Sequence, residues 1–411
     1  MNNMNILFIT DNFFPESNAP AIRTLAHCKE WVRQGHRVTV VTCAPNFPEG
    51  KIFQGYRNSI WHTEHISGIK VIRVISYISQ NKGVIRRTLD YLSFGISSMF
   101  GGLCVRDVDV VVGTSPQIFA AMSSMLVAKI KRVPWIFELR DLWPESIEAV
   151  GLDNLPFLRL LQSLVNKLYF SADGIVCVTD SFKYYLRELG ICSDKIKVIT
   201  NGVDLKQFQP DISATSIERA VPKDNLTWGY IGTVGMAHGL ETLIKAAKIL
   251  EERNYSSIYS GKIIGEGAEK KTLERMAKRL GCKTIEFFGA FEHQQATRYW
   301  GLIDVLVIHL RDHHEFQKVI PSKLFEAMAL GIPVIHCVKG ESSAIVSRHD
   351  VGLLVMPEDP EALASAIHEI LSDRAKYQRF STNAMAAARQ YDRCKLASEM
   401  VDFMHATINA A

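Results

Sequence analysis

Between Ile320 and Pro333 the chain reads IPSKLFEAMALGIP, and Ser322, Lys323 and Glu326 in it have the spacing to act together. Residues three and four apart share one face of a helix. Ser322 is of the type that caps a helix start, Gly331 suits a left-handed stop, and Pro333 blocks continuation. Leu324, Phe325, Met328 and Ala329 form the apolar side. Such a helix start offers backbone N–H groups and an ammonium, with a carboxylate one turn on. Phosphates suit the positive end and a ribose diol suits the carboxylate, so the segment fits a nucleoside diphosphate. The plain alternative is an amphipathic helix with a surface Lys–Glu pair.

Three other segments carry residues of chemical interest. In GTVGMAHGL, Gly232, Gly235 and Gly239 follow an apolar run and open a helical pattern, where a bare backbone approaches a phosphate closely and His238 adds a donor. The spacing departs from G-x-G-x-x-G, so it does not support dinucleotide binding. In FELRDLWPES, Glu138, Arg140, Asp141 and Glu145 crowd the end of an apolar run. Buried charges need either a site or one another, and Asp141 is placed to take or orient a hydroxyl proton. In DNFFPESNAPAIR, the small stretch Asn18, Ala19, Pro20 and Ala21 leaves room for a ligand, although taken alone it is better read as a plain loop.

Metal sites are poorly supported. Asp107-Val108-Asp109 has the form of a metal-binding Asp-x-Asp, but it stands at the start of a strand, the wrong end of a parallel sheet. His313 and His314 are adjacent and diverge around a helix, unlike a His-x-x-x-His chelate. Neither a P-loop nor a G-x-S-x-G elbow is present.

These residues need elements to position them. Apolar runs at 4–10, 36–43, 68–75, 108–115, 133–140 and 174–180 alternate with helical stretches, including one from about Ala21 to Gln34. A strand at 195–200 closes that series, and the polar, aperiodic 211–225 reads as a linker. A second series has strands at 226–235, 259–267, 284–291, 304–310, 333–338 and 351–357, with helices at 240–254, 360–371 and 374–390. Alternation of this kind predicts an α/β fold of two doubly wound parallel sheets. The expected domains are 1–205 and 206–392, facing a cleft, with an amphipathic 393–409 packing back on the first. Ligands bind such sheets at the carboxyl ends of the strands.

Bulk composition agrees. A chain of 411 residues argues for two domains, and a net charge of +4 is too mild to argue for nucleic acid. Eight cysteines without a Cys-x-x-Cys pair read as buried thiols in a reducing cytosol. The start lacks the basic leader of a signal peptide, and no stretch has the apolar length to span a bilayer. Tyr91 to Val105, behind Arg86 and Arg87, suits either a membrane interface or a buried helix, the latter slightly preferred.

Together, VITNGVDLKQFQP at the junction, PSKLFEAMALGIPVI and their spacing resemble the family 4 retaining glycosyltransferases of GT-B fold, over nearly the whole chain. NFFPESNAPAIRT, PNFPEGKIFQGYRN and ELRDLWPES resemble the bacterial surface-polysaccharide branch, the WbuB-like N-acetyl-L-fucosaminyltransferases of O-antigen or capsule assembly. The resemblance implies a UDP-sugar donor held by the second domain. Glu326 would bind the ribose. Pro321, Ser322, Lys323 and Leu324 would lie on the diphosphate, faced by Gly232, Thr233, Gly235 and His238. Gly265, Glu266 and Phe288 would hold the base. Asn18, Ala19 and Glu138 would line the acceptor side, with Arg140, Asp141 and Lys323 as the catalytic groups. It further implies retention of anomeric configuration, no metal and no other cofactor. The acceptor would be a polyprenyl-diphosphate saccharide, and 84–105 would attach to the inner face of the plasma membrane. Three positions depart from the family pattern: Lys318 stands at the first position of Glu-x7-Glu, Thr233 and His238 replace an Arg and a Lys, and Arg140 replaces a His. A sugar-nucleotide epimerase of the same fold and a non-catalytic nucleotide-sugar-binding protein are the alternatives.

Overall fold

Runs rich in Val, Ile and Phe are buried on both faces when a parallel sheet is covered by helices on either side. The computed structural model of this protein describes residues 3–47, 49–78, 84–142, 158–208, 226–289 and 299–410. The expected 211–225 linker and Glu145 lie outside the described residues. Two compact units result: Met1–Thr200 with Arg393–Ala411, and Asn201–Asp392.

The first unit holds eight strands: β1 (Asn5–Ile9), β2 (Arg37–Thr42), β3 (Trp61–Ile66), β4 (Ile69–Val74), β5 (Val110–Thr114), β6 (Trp135–Leu139), β7 (Gly174–Cys177) and β8 (Ile196–Val198). Their order is β3-β4-β2-β1-β5-β6-β7-β8, parallel except for the β3–β4 hairpin. Alternation along β1 divides the core. Ile6 and Phe8 pack with Trp31, Met400 and Met404 on one face, whereas Leu7 and Ile9 pack with Phe94 and Val127 on the other. Helix α1 (Ala19–Arg33) begins two residues earlier than its apolar pattern alone indicates, because Asn18 caps the Ala21 N–H at 2.9 Å and Pro20 fits the first turn. The C-terminal helix Arg393–Ala410 lies against α1, where Trp31 Nε1 donates to the Ala397 carbonyl at 2.9 Å.

Helix α2 (Val84–Leu103) corrects the expectation of a buried helix. Phe94, Ser98, Gly101 and Gly102 are buried, but Leu89, Leu92, Ile96 and Phe100 are exposed, Phe100 by 59%. Helix α3 (Ile118–Lys131) meets the inner face closely: a Cβ at Gly95 would stand 2.8 Å from Phe119 Cβ. Small residues thus seat one side of α2 and leave an apolar stripe on the other. Of the cysteines expected to be buried, Cys104 and Cys192 are exposed.

The second unit holds β9 (Leu226–Ile231), β10 (Tyr259–Ile264), β11 (Ile285–Phe288), β12 (Val305–His309), β13 (Val334–Cys337) and β14 (Gly352–Leu354). The order is β11-β10-β9-β12-β13-β14, all parallel. One core layer contains Ile231, Ile264, Leu306, Leu324 and Phe325, and the other Trp228, Tyr230, Ile263, Val305 and Val307. In both sheets the strand order reverses beside the first strand, β1 in one and β9 in the other, which marks the carboxyl ends where ligands bind.

Candidate active site

The second unit gathers most of the anticipated donor residues at the carboxyl ends of β9, β10 and β12. Lys323 opens the helix Lys323–Ala329, and its Nζ sits 3.9 Å from the centre of the Tyr230 ring. Gly232 makes that possible, since a Cβ there would come within 2.7 Å of Nζ. Burial pushes the Lys323 amine down to about 7, against the opposing pull of Glu326. Among the described residues no carboxylate lies within ion-pair distance of this ammonium. It is a desolvated cation lying over an aromatic face.

Around it, Tyr230 donates its hydroxyl to the Thr233 carbonyl at 2.7 Å, fixing the turn after β9. The His238 ring stands edge-on to Tyr230 at 5.9 Å, and its buried Nδ1 has no hydrogen-bond partner among the described residues. Burial, then the Lys323 charge, lowers His238 to about 4, so it serves as a neutral donor or acceptor. His309 braces the same turn: its Nδ1 donates to the His238 carbonyl at 2.7 Å while Nε2 accepts the Glu358 N–H at 3.1 Å. Gly265, at φ 150°, lies so close to the β9 turn that a Cβ would stand 1.9 Å from the Gly232 carbonyl. Glu266 pairs with Lys270 at 2.6 Å, and Lys270 also donates to the Phe288 carbonyl at 3.0 Å. Gly235 is half-buried on the same turn.

Two expectations change. Ser322 occupies the cap position, but its backbone is helical (φ −59°, ψ −28°) and its hydroxyl makes no capping bond. The turn already begins at Pro321, whose carbonyl takes the Leu324 N–H at 3.0 Å, so the hydroxyl is not aimed at the helix donors. The Leu324 side chain is wholly buried in the core, leaving only its backbone for a ligand. Gly331 does provide the left-handed stop, at φ 65°. Glu326 is half-buried one turn after Lys323. Lys318, at the departing position, is held by Glu315 at 2.7 Å.

In the first unit the loops after β1, β5 and β6 converge. Ser115 Oγ accepts the N–H groups of Arg140 and Asp141 at 2.7 and 3.2 Å. Burial raises Asp141 to about 6, partly opposed by Arg140, and lowers Arg140 to about 10. Burial likewise raises Asp11, on which Arg140 exerts a smaller downward pull. Glu138 is not an open contact surface: it is 1% exposed and its Oε1 takes Arg23 Nε at 2.8 Å. Its burial alone would raise it, yet Arg23 and Arg140 hold it at about 2. The same Arg23 donates to the carbonyls of Thr200 and Ile199 at 2.7 and 2.9 Å. The strand-end charge is thus paired, but by Arg23 from α1 and not by the neighbouring charges of the same segment. Asn18 is occupied as a helix cap, whereas Ala19 is exposed beside it.

Tyr230, His309, Arg23 and Asp11 did not stand out in the sequence. Tyr230 and His309 sit in apolar strand runs that read as plain core. Arg23 carried a signal: with Thr24, His27 and Glu30 it places polar residues on the buried side of α1. The metal patterns are absorbed structurally. Asp109 Oδ2 accepts from Asn5 N and Nδ2 at 2.7 and 3.0 Å, and His313 Nδ1 accepts the Glu315 N–H at 3.3 Å.

Comparison with known proteins accords with this geometry. The Glycosyltransferase Family 4 model matches residues 21–207, and the Glycosyl transferases group 1 model matches 212–386. The putative colanic acid biosynthesis glycosyl transferase WcaI of Escherichia coli K12 is 25% identical over 386 residues, covering 90% of this chain and 92% of its own. Sucrose-phosphate synthase from Thermosynechococcus elongatus has the same fold (TM-score 0.78, 18% identity, 100% of each chain). So does Anabaena Alr3699/HepE, solved in complex with UDP-glucose (TM-score 0.70, 17% identity, 98% of this chain and 100% of that one). Family models that tile the chain from residue 21 to 386 over two such sheets identify it as a GT-B glycosyltransferase of group 1 and family 4.

Proposed function

We propose that this enzyme transfers a deoxy-amino sugar, N-acetyl-L-fucosamine in the sharpest form of the reading, from a UDP-sugar to a polyprenyl-diphosphate-linked saccharide. The product belongs to surface-polysaccharide assembly at the cytoplasmic face of the membrane. The observation that carries the donor half is Lys323, a desolvated ammonium over Tyr230, with Gly232 leaving space beside it. A diphosphate supplies an anion for this cation. The UDP-glucose complex of HepE and the biosynthetic name of WcaI support the nucleotide and the pathway class.

In the proposed reaction the bond from the anomeric carbon to the diphosphate breaks, and a bond to the acceptor oxygen forms on the same face. Charge grows on the leaving phosphate, where Lys323 stabilises it. The acceptor proton passes to that phosphate, and Asp141 orients the hydroxyl or assists as a base. Glu326 takes the ribose diol. His238, Gly265, Glu266 and Phe288 border the nucleotide, and no metal takes part. The exposed stripe of α2 provides peripheral attachment, since no helix among the described residues is long and apolar enough to cross a membrane.

The test is transfer from a panel of UDP- and GDP-sugars onto a synthetic polyprenyl-diphosphate saccharide, with the anomeric configuration of the product read by NMR. One UDP-deoxyamino sugar transferred with retention, unaffected by chelator, is the expected result. Inversion, or turnover of donor without acceptor, would contradict it.

A further inference from the structure

The opposite end of the first sheet carries a pocket that the transfer reaction does not use. It has a volume of about 280 Å³ and lies at the amino ends of the strands, lined among others by Asn5, Arg37, Lys70, Cys104, Arg106 and Asp107. Strand register explains the convergence. Asn5 pairs with Arg37 across β1–β2, and Thr39 pairs with Lys70 across β2–β4, so two cations stand on neighbouring strand starts. Arg106 joins them from the loop before β5.

The charges there are unbalanced. Among the described residues no carboxylate is in ion-pair distance of Arg37, Lys70 or Arg106. Asp109, close by in sequence, is held by both Asn5 donors. Asp107 is exposed at φ 54°, a left-handed turn that sets its backbone at the pocket rim. Three cations against one carboxylate, in a concave site too small for a nucleotide sugar, select a compact anion with several acceptor oxygens. We infer that this pocket binds a phosphate group. Two sources present that chemistry, a small phosphorylated solute or a lipid headgroup. The second is open because Phe100, exposed on α2, lies one helical turn before Cys104, whose N–H it accepts at 3.2 Å.

The test uses the full chain and two probes. Inorganic phosphate is titrated at constant ionic strength with the melting midpoint as readout, and sedimentation is measured with vesicles of phosphatidylglycerol in phosphatidylcholine. Phosphate should raise the midpoint equally in the wild type and in Lys323→Ala, which separates this pocket from the proposed donor site. In Arg37→Gln/Arg106→Gln the half-saturating phosphate concentration should rise about fivefold to tenfold, the scale of two partly exposed charge contacts. Asp107→Asn, tolerated in a left-handed turn, should lower it. Phosphate that displaces the protein from vesicles, with pelleting reduced in the double variant, assigns the lipid source; a midpoint shift weakened in the double variant while its pelleting stays at the wild-type level assigns the solute. An identical response of wild type and double variant to both probes overturns the inference, as does loss of the phosphate response in Lys323→Ala.

Discussion

At the level of single residues, donor binding turns on the protonation of Lys323. Its ammonium loses hydration on burial, which pushes its pKa down to about 7. A diphosphate favours the charged form and so raises that value in the complex. The sign follows directly: the free protein must take up a proton to bind once the pH exceeds about 7. UDP affinity is therefore expected to be flat below pH 6.5 and to weaken by up to about tenfold per unit above 7.5, by proton linkage. Calorimetric titration across that range checks it; affinity independent of pH would remove Lys323 from the diphosphate. Asp141 acts in the other direction. Held near 6 by burial, its carboxylate is lost as the pH falls below that value, so turnover dependent on it declines on the acid side.

Elements set where these residues stand. The β9 and β10 turns touch backbone to backbone, and only glycine permits it. Gly265→Ala places a methyl group 1.9 Å from the Gly232 carbonyl at a φ of 150°, so the two turns must separate. The expected outcome is at least about a tenfold weaker UDP affinity with a lowered melting midpoint, since strained backbone costs about 1–3 kcal/mol. Retained affinity would show that the turns are not a nucleotide surface. On α2, Ile96→Asp/Phe100→Asp should leave the melting midpoint nearly unchanged, because both side chains are exposed, and should abolish vesicle pelleting. Unchanged pelleting would exclude this stripe from membrane attachment. The strands, most helices and the Gly331 stop were legible because their patterns are periodic or local. The mixed character of α2 was not. Its apolar residues surround the helix, and only the seating of Gly95, Gly101 and Gly102 on its neighbours decides which side is covered.

For the molecule as a whole, the sequence carried the two-sheet GT-B fold through the alternation of strands and helices. The site was partly readable. Lys323, Gly232 and His238 are quoted in motifs and do meet, whereas their partner Tyr230 lies two residues before the motif in a strand that reads as core. Charge pairing is harder still to foresee: Glu138 takes Arg23, separated from it by 115 positions. The most direct check on the donor site is the melting midpoint of the full chain with UDP and GDP, for wild type and Lys323→Ala. A ligand that binds only the folded state raises stability by about 2.7 kcal/mol at a hundredfold excess over its dissociation constant. UDP should raise the wild-type midpoint, GDP should raise it less, and Lys323→Ala should fold but lose most of the UDP shift. A full UDP shift in Lys323→Ala, or none in the wild type, would contradict the assignment of this site to a nucleotide-sugar donor.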